Sequence, residues 1–315
     1  MMQSNGNSEL ERPIIILGVP RSGTTLLSFM LDSHPNIAIG RETYFMKGVE
    51  HLFGDSNDND PQHIEYVRRG WYERYGLKRE EFANYIRRFL YEFYSDYARK
   101  QNKIRWGDKT PAHTLHCELM YEIFPDAQFI HIVRDPRAVV LSRSRWKTSS
   151  TIEDIASEWQ RENDRVANLG SRLASGSYLR IHYEDLVLHS ELTMKKVLSF
   201  LGEEWCESVL SHEEVETHKY VSCQHEGVTS PRVRVIESKA VVEGGPENDP
   251  ARKIDTDSLD KWKMKLRKME IASIQKIAAK GMRNYGYPFA TGLIPLIGKV
   301  RVEEYKCRGA GNPCA

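Results

Sequence analysis

The sequence predicts an α/β fold built on a central, mainly parallel sheet, and three observations predict it. Short apolar runs alternate with segments of helical periodicity, which is the pattern of strand–helix units. The first run, Ile14–Leu17, ends in the turn Gly18-Val-Pro-Arg-Ser-Gly23, and Thr24-Thr25 then opens a segment with Leu26, Leu27, Met30 and Leu31 on one helical face. Later runs also end on charged or hydroxyl-bearing residues, at the strand edge where open parallel sheets bind ligands.

Taken in order, residues 1–12 read as a disordered tail ahead of a domain spanning 13–290. The helix after the first loop stops at Asp32-Ser-His-Pro35, because the residue before proline disfavours helix. Asn36–Ile39 reads as a second strand lying beside the first, and it delivers Gly40-Arg41-Glu42-Thr43 to the sheet edge. Residues 45–103 interrupt the alternation as a helical insertion. Within it Phe82, Tyr85, Ile86, Phe89, Leu90, Phe93, Tyr94 and Tyr97 recur at helical spacing, a stripe that reads first as core packing. Lys103–Trp106 is a strand leading to Gly107-Asp-Lys-Thr-Pro111, and Leu115–Phe124 a helix stopped by Pro125. Gln128–Val133 is the clearest strand and ends at Arg134-Asp-Pro-Arg137, with Pro136 suited to a first helical turn. The helix that follows carries Ser142. Ser150–Leu173 is a helix with Asp154, Glu158 and Glu162 on its polar side; Tyr178–Tyr183 is a strand, and Glu191–Leu201 a helix. Residues 217–256 are weakly patterned and read as a lid or acceptor loop. Asp257–Lys280 reads as a basic helix or helix pair, and 291–315 as a flexible tail.

Composition narrows the partners. A net charge of +1 gives no reason to expect nucleic acid or a membrane surface. No run approaches the roughly 20 apolar residues of a transmembrane helix, and the N-terminus lacks the apolar core of a signal peptide. The five cysteines have no metal spacing and fit reduced thiols, so the expected compartment is cytoplasmic.

The first loop is an anion cradle by construction. The free N–H groups of a helix's first turn, aided by the helix dipole, favour negative charge. Gly23 permits close backbone approach, Ser22, Thr24 and Thr25 add hydroxyls, and Arg21 adds a cation. A nucleoside-triphosphate loop of the form G-x-x-x-x-G-K-[ST] carries a lysine on the phosphates and a hydroxyl on magnesium. Here Gly18 and Gly23 keep the glycine spacing, but Thr24 stands where the lysine belongs. That argues for a nucleotide without a β,γ extension, bound without a metal. A P-loop kinase using ATP and magnesium, or a non-catalytic nucleotide-binding protein, are the alternative readings.

The motifs Gly18-Val-Pro-Arg-Ser-Gly-Thr-Thr-Leu26, Leu31-Asp-Ser-His-Pro35, Glu42-Thr43, Val133-Arg-Asp-Pro-Arg-Ala138, His182-Tyr-Glu-Asp-Leu-Val187 and Lys261-Trp262 together resemble the sulfotransferases that use 3′-phosphoadenosine-5′-phosphosulfate (PAPS), and most of all their tyrosylprotein branch. The resemblance implies a three-layer, P-loop NTPase-like sulfotransferase fold, and in-line transfer of a sulfuryl group to an acceptor hydroxyl with release of PAP. It implies that Arg21, Ser22, Gly23, Thr24 and Thr25 hold the 5′-phosphate side of the donor, and that Arg134 and Ser142 hold the 3′-phosphate. Tyr183 and Lys261 would lie near the nucleotide. Glu42 would be the general base, Lys109 would stabilise the leaving phosphate oxygen, and His113 is the next candidate base. No metal is expected. The acceptor is left open among peptide tyrosine, carbohydrate, lipid and small metabolite, and a homodimer is admitted. Where the tyrosylprotein branch carries an arginine two residues after the base, this chain has Tyr44.

Overall fold

The computed structural model describes residues 12–54, 71–145, 150–212, 233–236, 239–242, 254 and 256–290. The expected tails at 1–12 (all but its last residue) and 291–315, and most of the 217–256 loop, lie outside the described residues. Five strands, β1 (Ile14–Leu17), β2 (Ile37–Ile39), β3 (Arg105–Asp108), β4 (Gln128–Val133) and β5 (Tyr178–His182), form one parallel sheet in the order β2-β3-β1-β4-β5. The helices are α1 (Thr24–Asp32), α2 (Phe45–Phe53), α3 (Arg79–Lys100), α4 (Cys117–Ile123), α5 (Pro136–Ser144), α6 (Ile152–Gly170), α7 (Tyr183–Leu188), α8 (Ser190–Leu201), α9 (Asp257–Lys265), α10 (Lys268–Ile277) and α11 (Ala279–Tyr285). β6 (Val233–Ile236) and β7 (Lys239–Val242) pair antiparallel, a hairpin within the stretch expected to be irregular.

Strand alternation makes the sheet the middle of three layers. Ile14 and Ile16 face one side and meet Leu27, Met30 and Leu31 of α1 and Val197 and Leu198 of α8. Ile15 and Leu17 face the other and meet Leu90 and Tyr94 of α3, Met120 of α4 and Val166 of α6. The strands are buried on both faces, so they read as continuous apolar runs.

Four expectations need correction. β2 does not lie beside β1, because β3 is inserted between them. Gly107 permits that insertion: a Cβ there would stand 2.9 Å from the Ile14 carbonyl oxygen. The helix expected from Leu115 begins as a 3₁₀ turn, Pro111–His116, and only then continues as α4. The aromatic stripe of α3 divides in two. Phe82, Leu90 and Tyr94 are buried, whereas Tyr85, Phe89 and Phe93, on the neighbouring i, i+4, i+8 row, are more than half exposed. Eight apolar positions are simply more than one buried face holds.

The fourth correction concerns Glu162, which is buried rather than on the polar face of α6. Burial first, and then the Glu158 carboxylate, push its pKa from 4.5 up to about 7. The fold therefore favours the protonated form, and its contribution is lost as pH rises from the unfolded value through the folded one. Glu162→Gln is accordingly expected to stabilise the protein by about 1–3 kcal/mol at pH 8 and to change little at pH 4. Thermal melts at the two pH values check this.

Candidate active site

The site gathers at the carboxyl ends of the strands, where the chain leaves β1 towards β2 and β3 on one side and towards β4 and β5 on the other. After β1 the loop closes with Ser22 N donating to the Val19 carbonyl at 3.0 Å. Arg21 and Gly23 both take left-handed conformations, with φ of 79° and 94°. Gly23 caps α1 without any side-chain hydrogen bond, so the amides of the first turn have no intrahelical acceptor. A Cβ on Gly23 would also stand 2.2 Å from Cδ2 of Tyr183. Glycine is thus required by both conformation and space. Thr114, which sequence reading missed, fixes the start of the loop: its Oγ1 accepts from Gly18 N at 3.0 Å and donates to Gly18 O at 3.2 Å.

The second predicted anion site meets the first through Arg21. Arg134 Nη1 donates to the Arg21 carbonyl at 2.9 Å, and Arg21 Nε donates to Ser142 Oγ at 3.0 Å. Arg134 Nη2 donates to the Ser258 carbonyl at 2.8 Å, and the guanidinium lies 4.1 Å over the Tyr183 ring. That ring is therefore held between Gly23 and Arg134, and its hydroxyl shares a 2.9 Å hydrogen bond with Ser258 Oγ. A strand-end ion pair does not account for Arg134. Asp135 pairs with Arg137 at 2.6 Å, and Glu184 accepts instead from Asp135 N at 3.0 Å. Ser258 was also missed; it is the second residue of α9, and Lys261 follows one turn later on the same helix. α9 is seated by Trp262, which stacks under Arg137 at 3.9 Å.

Glu42 and Lys109, far apart in sequence, meet beside the cradle. Lys109 Nζ donates to Glu42 Oε1 at 2.6 Å and to Thr25 Oγ1 at 3.3 Å. The insertion of β3 explains this, since Lys109 leaves the strand that lies between β1 and β2. Tyr44 Oη donates to the other Glu42 oxygen at 2.6 Å. Beneath them the buried Asp108 carboxylate ties the two loops together. Its Oδ2 accepts from Tyr94, Thr43 and Thr110, each at 3.2 Å, and its Oδ1 pairs with His113 Nδ1 at 2.7 Å. Burial and Asp108 push the Tyr94 phenol up, which keeps it a donor. His113 Nε2 accepts from Met46 N at 3.3 Å, so Nδ1 carries the proton given to Asp108. His113 is buried and occupied at both nitrogens, which makes it part of the loop scaffold rather than a second base.

Two buried polar atoms at the site, the Ser22 hydroxyl and the Arg134 Nε, lack a hydrogen-bond partner among the described residues. A desolvated hydroxyl and a desolvated guanidinium N–H are costly unless a ligand satisfies them. Phosphate oxygens suit both. Among the described residues no cluster of three or more His, Cys, Asp or Glu side chains could hold a metal.

At the carboxyl edge of a parallel α/β sheet, a lysine-free glycine cradle is thus flanked by a carboxylate–ammonium pair on the β3 side and by a buried arginine on the β4 side, a layout suited to a class of anion-binding sites. Residues 13–207 match the Sulfotransferase family, and the chain belongs to it. It is 30% identical over 211 residues to the protein-tyrosine sulfotransferase of Drosophila melanogaster, covering 65% of this chain and 41% of that one. To protein-tyrosine sulfotransferase 1 of Danio rerio it is 32% identical over 212 residues, covering 65% and 57%. The chain thus spans about half the length of the curated relatives it matches. Among solved structures, the sulfotransferase domain of the Synechococcus PCC 7002 olefin synthase shares the fold at a TM-score of 0.60 and 22% identity, covering 91% of this chain and 98% of that one.

Proposed function

We propose that the chain is a PAPS-dependent sulfotransferase acting on a hydroxyl-bearing acceptor. The observation that carries this is Lys109, which bridges the cradle hydroxyl of Thr25 and the carboxylate of Glu42. PAPS supplies an activated sulfuryl group, whose transfer forms a sulfur–oxygen bond to the acceptor and breaks the one to phosphate, releasing PAP. The amides and hydroxyls of Ser22–Thr25 hold the 5′-phosphate end; Arg134, Ser142 and Lys261 hold the 3′-phosphate end, with Tyr183 beside it. Glu42 takes the acceptor proton on a carboxylate oxygen. Lys109 supplies positive charge where the leaving phosphate gains negative charge, the term that dominates such transfers. ATP-dependent phosphoryl transfer is disfavoured by Thr24 in the lysine's place, and mere nucleotide binding leaves the Lys109–Glu42 pair without a purpose. Among the described residues Cys117 and Cys206 are free thiols, and no described helix is long and apolar enough to cross a membrane.

Calorimetric titration tests the donor assignment. PAP is expected to bind with the same affinity in EDTA as without it, and AMP more weakly for want of a 3′-phosphate. A large loss of PAP affinity in EDTA, or tight binding of magnesium-ATP in place of PAP, would contradict it.

A further inference from the structure

We propose that Tyr44 is a positioning residue for the acid–base centre: it holds the Glu42 carboxylate in its working orientation when Lys109 turns to the donor. The inference rests on the reading of Glu42 as base. Lys109 faces two ways already, towards Glu42 Oε1 at 2.6 Å and towards the cradle at Thr25 Oγ1, 3.3 Å away. An arriving phosphate draws that ammonium towards the cradle. Oε1 then exchanges the ammonium for the acceptor hydroxyl, while Tyr44 Oη keeps its 2.6 Å hydrogen bond to Oε2. The Tyr44 contact thus fixes the carboxylate's orientation at the moment its geometry matters.

The backbone supports a built contact. Tyr44 sits at the N-cap of α2 with φ 54° and ψ 17°, a left-handed conformation uncommon for a residue with a Cβ. The chain on both sides is tied to the Asp108 scaffold. Thr43 N donates to Thr110 Oγ1 at 3.1 Å and Met46 N to His113 Nε2 at 3.3 Å, so the strained residue is over-determined by its surroundings. Packing does not explain it, since the Tyr44 side chain is 57% exposed.

The test uses the full chain in two measurements. In a crystal structure with PAP, Tyr44 Oη is expected within hydrogen-bond distance of Glu42 while Lys109 Nζ has left Oε1. With radiolabelled PAPS and an acceptor, Tyr44→Phe is expected to lower kcat about tenfold or more, the worth of a hydrogen bond to a charged group, with PAP affinity and melting temperature unchanged. Tyr44 swinging away from Glu42 in the PAP complex overturns the proposal. So does a Tyr44→Phe enzyme of wild-type kcat beside an inactive Glu42→Gln. A Glu42→Gln enzyme of wild-type kcat instead removes the base reading itself, and this proposal with it.

Discussion

Glu42→Gln is expected to lower sulfuryl turnover by about 10²–10⁴-fold, the usual worth of a positioned general base, while PAP affinity stays within a few-fold of wild type. Glutamine keeps the size of the side chain and an acceptor oxygen for Lys109 or Tyr44, so the loops keep their geometry and only basicity is removed. In the proposed site the donor contacts come from elsewhere, from the α1 N-terminus and Arg134, so binding has no reason to fall. It can even rise, because Lys109 loses the carboxylate that competes for it at 2.6 Å. Lys109→Ala separates the two roles: turnover falls through the leaving group, and PAP affinity falls with it because the cradle loses its ammonium. Single-turnover transfer read beside PAP titration distinguishes the patterns.

Arg134→Ala is expected to weaken PAP binding by about 1.5–3 kcal/mol, roughly 10- to 150-fold, and to bring the preference for PAP over AMP close to unity. The direct loss is a buried guanidinium whose Nε has no hydrogen-bond partner among the described residues. The indirect loss is the scaffold it supports, since the same side chain holds the Arg21 and Ser258 carbonyls and covers Tyr183. Ser142→Ala is a milder companion. It removes the acceptor of the Arg21 Nε hydrogen bond and leaves Arg134 in place. Equal PAP affinity in wild type and Arg134→Ala would remove this site from the account.

What could be read in the sequence was what lies contiguous in it. The strand, turn and helix around Gly18–Thr25 form a local unit, and glycine spacing, apolar run and hydroxyls report it directly. Arg134 and Asp135 follow the clearest strand, Gln128–Val133, so their place at the sheet edge was also legible. The strand order was not, because it depends on a small residue, Gly107, meeting Ile14 from another strand. Thr114, Asp108 and Ser258 escaped for the same reason. Each is an ordinary polar residue locally, and its role appears only through partners such as Gly18, Thr43 and Arg134. The separate roles of Lys109 and Glu42 were implied by family resemblance rather than spacing, and their pairing could be stated only once β3 was placed. Glu162 looked solvated because alternation on a long helix does not reveal how wide its buried face is.

The most direct test of the central claim is transfer itself. The full chain is incubated with radiolabelled PAPS and a panel of hydroxyl acceptors comprising a tyrosyl peptide, a carbohydrate, a lipid alcohol and small phenols, in EDTA, beside the Glu42→Gln variant. The expected result is label on at least one acceptor with wild type and nearly none with the variant. Label that never leaves PAPS, together with γ-phosphate transfer from magnesium-ATP to the same panel, would contradict it.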